Sequence, residues 1–145
     1  MTTKAKVALM IVACLLLFVT AVVGGYFYWL NQNKGDLQAA RDAGLAFGKR
    51  TDDHGCWQEA VKRQNDTKDF GASLKNNSFL LACLAAASNP PNFCDGVPLP
   101  SAMIDSITWT NERCGKLNLS RTDCQALLRT LQTYCSEYYP KKPAN

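Results

Sequence analysis

The stretch VALMIVACLLLFVTAVVGGYFYWL, residues 7–30, decides the organisation of this chain of 145 residues. It carries no charged side chain, and as a helix it exceeds the roughly 20 residues needed to cross the hydrocarbon core of a bilayer. Its closing aromatic residues, 26–29, are of the kind found at a membrane–water interface. We therefore predict an uncleaved transmembrane anchor at 7–30, preceded by a cytoplasmic N-terminus at 1–6.

Two other interpretations of this stretch stay open. A cleaved signal peptide has a shorter apolar core and a small-residue cleavage site, and the aromatic residues after Gly25 fit that pattern poorly. A lipoprotein signal is the other interpretation, because residues 11–14 (IVAC) resemble a lipobox that would place a lipid on Cys14. The mature lipoprotein would then keep a long apolar segment without a role, so we favour the anchor.

Six of the seven cysteines follow the apolar stretch. Disulfides persist in oxidising compartments, and they stabilise domains too small for a large hydrophobic core. Basic residues flank the stretch on both sides, so the positive-inside rule orients it only weakly. The cysteines therefore decide the orientation, and we expect a cytoplasmic N-terminus and a periplasmic or extracellular domain. The six cysteines predicted to form disulfides are Cys56, Cys83, Cys94, Cys114, Cys124 and Cys135.

The domain after the anchor is predicted to be all-α. No alternating run of β-branched residues occurs in it, as a half-buried strand would require. We expect a small disulfide-stapled bundle of about four to five helices over 36–139. A polar connector at 31–35 precedes it, and a flexible tail at 140–145 follows it.

Capping residues indicate where these helices begin. Asp36 is placed to begin a helix that runs to about Gly48, and Thr51 is placed to begin the next one. Ser101 and Ser120 are placed to begin the last two helices, and Ser120 is followed three residues later by an acidic residue in a capping-box arrangement.

Helix geometry limits how the cysteines can pair. Cys124 and Cys135 fall on one helix, about 16 Å apart along its axis, whereas disulfide Cα atoms lie within about 7 Å of each other. Cys114 and Cys124 flank the same turn and are the preferred pair. A Cys83–Cys94 bond is sterically allowed, and the sequence does not rank it against other pairings.

Two segments are candidate partner contacts. Ala40, Gly44 and Gly48 recur every four residues, so they share a helix face that a second helix of this domain or of a partner subunit can approach closely. The loop after the double proline is dense in constraints and serves either to orient two helices or as a rigid recognition loop. Its candidate residues are Phe93, Asp95, Gly96, Val97 and Leu99.

The sequence carries no recognised catalytic motif, and its cysteines lack the close pairs typical of zinc sites. We therefore predict no catalytic, cofactor-binding or metal-binding residue. The net charge of +4 is spread along the chain, which argues against a nucleic-acid partner.

We expect a non-catalytic accessory, assembly or scaffold subunit of a larger membrane complex. It would contact the bilayer through 7–30 and a membrane-protein partner through its domain. One alternative is a small envelope enzyme or thiol–disulfide protein that uses His54 and a free cysteine. Another is a carrier that holds an apolar ligand in a helical cavity.

Overall fold

The computed structural model describes residues 3–66 and 70–139, and these residues confirm the all-α, disulfide-stapled fold. In the described ranges the chain forms no β-strand, only an isolated bridge between Asp52 and Ser88. The tail predicted at 140–145 lies outside the described residues. The elements are α1 (Thr3–Gly48), α2 (Asp53–Asp66), α3 (Phe70–Ala86), α4 (Met103–Cys114), α5 (Arg121–Thr133) and a π-helical turn, Tyr134–Tyr138.

Contacts along the chain define two units, Met1–Gly35 and Asp36–Asn145. The first unit is the N-terminal part of α1, and its segment Ile11–Trp29 is long and apolar enough to cross a membrane. The apolar side chains of this segment are exposed, among them Leu17 at 71%. A membrane anchor and an N-terminal signal sequence both meet these criteria.

The prediction that a new helix begins at Asp36 is wrong. Helix α1 continues through residues 31–35 without a break. This stretch is polar but contains no proline, and a single glycine in a helix interior costs only about 1 kcal/mol relative to alanine. Polarity alone therefore does not end the helix, and Gln38 and Asp42 support it with a side-chain hydrogen bond of 2.9 Å.

The core of the second unit lies among α2, α3 and α5. Their apolar stripes converge, and the side chains of Phe79, Leu84 and Leu127 are completely buried. Burial of such side chains is the main favourable contribution to folding, at about 1.5–3 kcal/mol each. Tyr134, in the π-helical turn, completes this core.

Asp52, rather than the predicted Thr51, caps α2. The Gly55 backbone N–H donates to the Asp52 carboxylate at 2.8 Å. The start of α2 is also tied to the end of α3, because Asp53 N–H donates to the Ser88 carbonyl at 3.2 Å and Ser88 N–H donates to the Thr51 carbonyl at 3.1 Å. The Thr51 carbonyl is engaged in this bridge, and the cap falls one residue later.

The two later helices differ at their N-termini. Ser120 caps α5 as predicted, because its hydroxyl accepts a 3.2 Å hydrogen bond from the Asp123 N–H and donates to the Asp123 carboxylate at 2.6 Å. The prediction that Ser101 caps α4 is wrong. Helix α4 begins at Met103, and its N-cap residue, Ala102, offers no side-chain hydrogen bond.

Three disulfides stabilise the second unit. The bond Cys114–Cys124 is confirmed, and Cys124 does not pair with Cys135. The Cys83–Cys94 bond is not formed, because α2 and α3 pack side by side and bring Cys83 to Cys56 instead. The other two bonds are Cys56–Cys83 and Cys94–Cys135.

Candidate interaction surface

The small residues predicted to face a second helix pack against α3. A Cβ atom at Gly44 would overlap the carbonyl oxygen of Phe79. One at Gly48 would overlap the carbonyl oxygen of Cys83. Both glycines are buried where α1 packs closely against the backbone of α3, which corrects the hypothesis that they meet a partner subunit. Ala40 is half-buried and lines a shallow cleft of about 240 Å³.

The loop between α3 and α4 has an inner and an outer side. Phe93 and Val97 are half-buried, and the Phe93 ring packs edge-on against Tyr134 with centroids 6.3 Å apart. The loop reverses at a glycine whose φ is 73°, a conformation that glycine adopts without strain. The exposed candidate residues are Asp95, Gly96 and Leu99.

His54 lies exposed in the first turn of α2. Its ring packs edge-on against Phe93, with centroids 5.0 Å apart. Cys56 is buried in a disulfide with Cys83, so it offers no thiolate to a neighbouring histidine. The free cysteine in the described part of the chain is Cys14, which belongs to the first unit.

Asp53 and Tyr134 form a hydrogen bond inside the core that the sequence did not indicate. The Tyr134 hydroxyl donates to the Asp53 carboxylate at 3.0 Å, and both side chains are completely buried. Burial, and then the negative charge of Asp53, raise the pKa of Tyr134 far above its usual value of 10.0. Because solvent does not reach the pair, we assign it to linking α2 with the end of α5.

Across residues 3–66 and 70–139, no group of three or more His, Cys, Asp or Glu side chains lies close enough to hold a metal ion. The surface that distinguishes the second unit is instead apolar.

The α4 patch is an exposed apolar surface formed by the outer face of α4 and the loop before it. Among the described residues, α4 has no buried side chain. Large apolar side chains exposed together on a folded domain are typical of interaction sites. The patch consists of Leu99 (59% exposed), Met103 (72%), Ile104 (79%) and Ile107 (56%).

The α4 patch continues into a groove between α4 and α5 with a volume of about 480 Å³. Met103 and Ile107 line the α4 side, and Arg129 lines the α5 side. Gln132 holds the two helices together beside it, because its amide donates to the Ser106 hydroxyl at 2.8 Å and to the Pro98 carbonyl at 3.2 Å. The groove therefore combines apolar side chains with a cation.

Comparison with protein-family models, with curated proteins and with solved structures finds no match for this chain. Its candidate sites therefore depend on the geometry of its own residues.

Of the α4 patch, only Leu99 was among the sequence-predicted contacts. Met103, Ile104 and Ile107 fall at helical spacing, so the pattern predicts that they share one face. It does not indicate whether that face is buried or exposed. A further signal in the sequence is that these residues closely follow Leu99, which was already a candidate contact.

Proposed function

We propose that this protein is a membrane-anchored, non-catalytic accessory or assembly subunit whose second unit binds a partner through the α4 patch on the extracytoplasmic side of the membrane. The observation that carries the proposal is the exposure of four large apolar side chains on and beside one helix. Interfaces bury such side chains at their centres, and a few residues there supply most of the binding free energy.

The side chains that line the groove indicate which groups the partner presents. Apolar side chains from the partner would cover Met103 and Ile107, and a partner carboxylate would face Arg129. An amphipathic helix that places its apolar face in a groove is a common form of such recognition. We infer a membrane protein that presents an apolar helix with an acidic residue.

The disulfides support a preformed surface. Cys114–Cys124 joins the end of α4 to the start of α5, and Cys94–Cys135 holds the preceding loop. Because a preformed surface loses less conformational entropy on binding, it favours affinity. Attachment to the bilayer would further raise the effective concentration near a membrane partner.

Site-specific photo-crosslinking in native membranes tests this proposal. A photoreactive residue at Ile104 should give one crosslinked species of defined stoichiometry, and Ile107→Asp should abolish it. A photoreactive residue at Lys62, exposed on α2, is the matched position that should not crosslink. Lys62→Asp, exposed on α2 and outside the patch, should leave the Ile104 crosslink intact.

Three results would contradict the proposal. Equal crosslinking from Ile104 and Lys62 would mean that the α4 patch is not a specific surface. A protein that stays monomeric and uncrosslinked in its native membrane would exclude a subunit role. A crosslink only to a second copy of this chain would replace the hetero-complex with a homodimer.

A further inference from the structure

A second cavity, here called the Trp109 cavity, lies on the other side of α4 from the groove. Its volume is about 320 Å³, within the range of small-molecule sites in proteins. Residues from α2, the loop before α4, α4 itself and α5 line it together. It shares no lining residue with the α4–α5 groove, so it is separate from the proposed partner surface.

Aromatic and aliphatic side chains form the walls of the Trp109 cavity. Trp57, Phe93 and Trp109 contribute ring surfaces, while Leu128 and Leu131, exposed by only 1% and 7%, contribute the apolar base. Ring surfaces prefer offset-stacked or edge-on contact with other aromatic groups. These walls therefore favour a flat, apolar ligand over a hydrated sugar or an ion.

The charged side chains that line this cavity favour a negative ligand. Arg113 and Lys116 are exposed there, and the Arg113 guanidinium carbon lies 6.0 Å from the Trp109 ring centroid. Asp95, also exposed, supplies the opposing negative charge. The sum of these formal charges is positive, so an anionic group on the ligand would be stabilised near Arg113 and Lys116.

Two disulfides hold the residues that supply these groups. Cys94, bonded to Cys135, directly follows Phe93 in the loop, and Cys114, bonded to Cys124, directly follows Arg113 at the end of α4. The aromatic wall and the cations are therefore tied to α5 and the π-helical turn by covalent bonds. A site constrained in this way is largely formed before the ligand arrives.

We propose that the Trp109 cavity binds a small aromatic carboxylate, with its rings between Trp57 and Trp109 and its carboxylate toward Arg113 and Lys116. This is a binding function beyond the accessory role, since it uses a different side of α4. For a fragment of two fused rings and one carboxylate, we expect a Kd of about 1 mM.

The test is a titration of the full chain in lipid nanodiscs with 2-naphthoate, read by fluorine NMR after incorporation of 5-fluorotryptophan. The chain has three tryptophans, so Trp29 serves as the internal control for partition into lipid. The Trp57 and Trp109 resonances should shift along one saturable curve, and the Trp29 resonance should not follow it. The neutral analogue 2-naphthamide should bind at least about twofold more weakly, as expected for the loss of an exposed ion pair.

Matched variants separate the contribution of the two cations to ligand affinity from that of the apolar walls. Arg113→Gln with Lys116→Gln should weaken naphthoate about two- to tenfold, as expected for the loss of exposed ion pairs, and should leave naphthamide unchanged, because the amide carries no charge. Arg129→Gln, in the α4–α5 groove, should change neither. The absence of a saturable shift at Trp57 and Trp109 would overturn the proposal. Equal affinity for naphthoate and naphthamide in the unmodified chain would also overturn it.

Discussion

Helices α4 and α5 are neighbours of almost equal length, 12 and 13 residues, yet they bury very different amounts of side chain. Helix α5 buries five residues, including Leu127, Leu128 and Leu131, whereas the structure shows no buried residue in α4. Both sequences have apolar residues at helical spacing. The comparison teaches that an apolar stripe identifies a face that prefers to be covered, but not whether the domain itself covers that face.

Polar and covalent contacts, together with one packed aromatic ring, hold α4 in place. The Cys114–Cys124 disulfide fixes its end, and Gln132 donates a 2.8 Å hydrogen bond to Ser106 in its first turn. Trp109 packs against the core from the inner side. These contacts position α4 without burying Met103, Ile104 or Ile107, which remain exposed on the surface.

The largest expected contrast lies between the two apolar stripes. Leu127→Ala, at a completely buried site in α5, should lower the free energy of unfolding by about 2–5 kcal/mol because it leaves a cavity. Ile104→Ala, 79% exposed on α4, should change it by less than about 0.5 kcal/mol. Denaturant unfolding followed by circular dichroism measures both. Similar losses from the two variants would mean that the α4 patch is part of the core.

Glycines extend the comparison to backbone packing. Gly44→Ala should destabilise the protein by about 1–3 kcal/mol, because the new Cβ would overlap the carbonyl oxygen of Phe79. Gly115→Ala, at the end of α4, should be neutral or stabilising by up to about 1 kcal/mol, since its φ is −62° and its nearest neighbour would be 3.5 Å from the new Cβ. Thermal melts compare the two, and a destabilising Gly115→Ala would contradict the looser packing assigned to α4.

The Tyr134–Asp53 hydrogen bond makes the stability of the core dependent on pH. Tyr134→Phe should cost about 1–3 kcal/mol at pH 7, because Asp53 loses this buried hydrogen bond. The folded protein keeps the Tyr134 proton at pH values where the unfolded chain releases it, since burial raises this pKa above 10.0. The stability that Tyr134 contributes is therefore complete below pH 10 and falls by about 1.4 kcal/mol per pH unit above it.

Unfolding measured between pH 9 and 11 tests that dependence. A Cys14→Ser background removes the free thiol that would otherwise attack the disulfides at high pH. The stability difference between this protein and its Tyr134→Phe variant should shrink as the pH rises past 10. Tyr138→Phe, at a residue that is 48% exposed, provides the control and should produce no such change. A stability difference that stays constant across this range would contradict the raised pKa of Tyr134.

The smallest contrast concerns the helix caps. Ser120→Ala should destabilise the protein by about 1 kcal/mol, because it removes the acceptor for the Asp123 N–H. Ala102→Ser should change stability by less than about 0.5 kcal/mol, because the ψ of 76° at Ala102 differs from the 150° with which Ser120 caps α5. Denaturant unfolding again provides the measurement. A gain of about 1 kcal/mol from Ala102→Ser would show that the start of α4 adapts to a cap.

Local features of the chain were predicted where their cause was local. The Ser120 cap depends on residues within one helical turn, and the Cys114–Cys124 bond closes a sequence separation of only 10 residues. The start predicted at Asp36 failed because a short polar stretch does not prevent α1 from continuing. The Asp52 cap was missed because the nearby bridge to Ser88 comes from a distant part of the chain.

The sequence by itself determined the helical class, the apolar N-terminal segment and the use of disulfides in a small domain. Hydrophobic periodicity, apolar length and cysteine content act within short stretches of chain, so they can be read without a structure. Only the tertiary structure decided that Cys56 meets Cys83, that Gly44 packs on α3 and that the apolar face of α4 is exposed. Each of these depends on which helix faces pack together, a competition among distant surfaces that periodicity alone does not resolve.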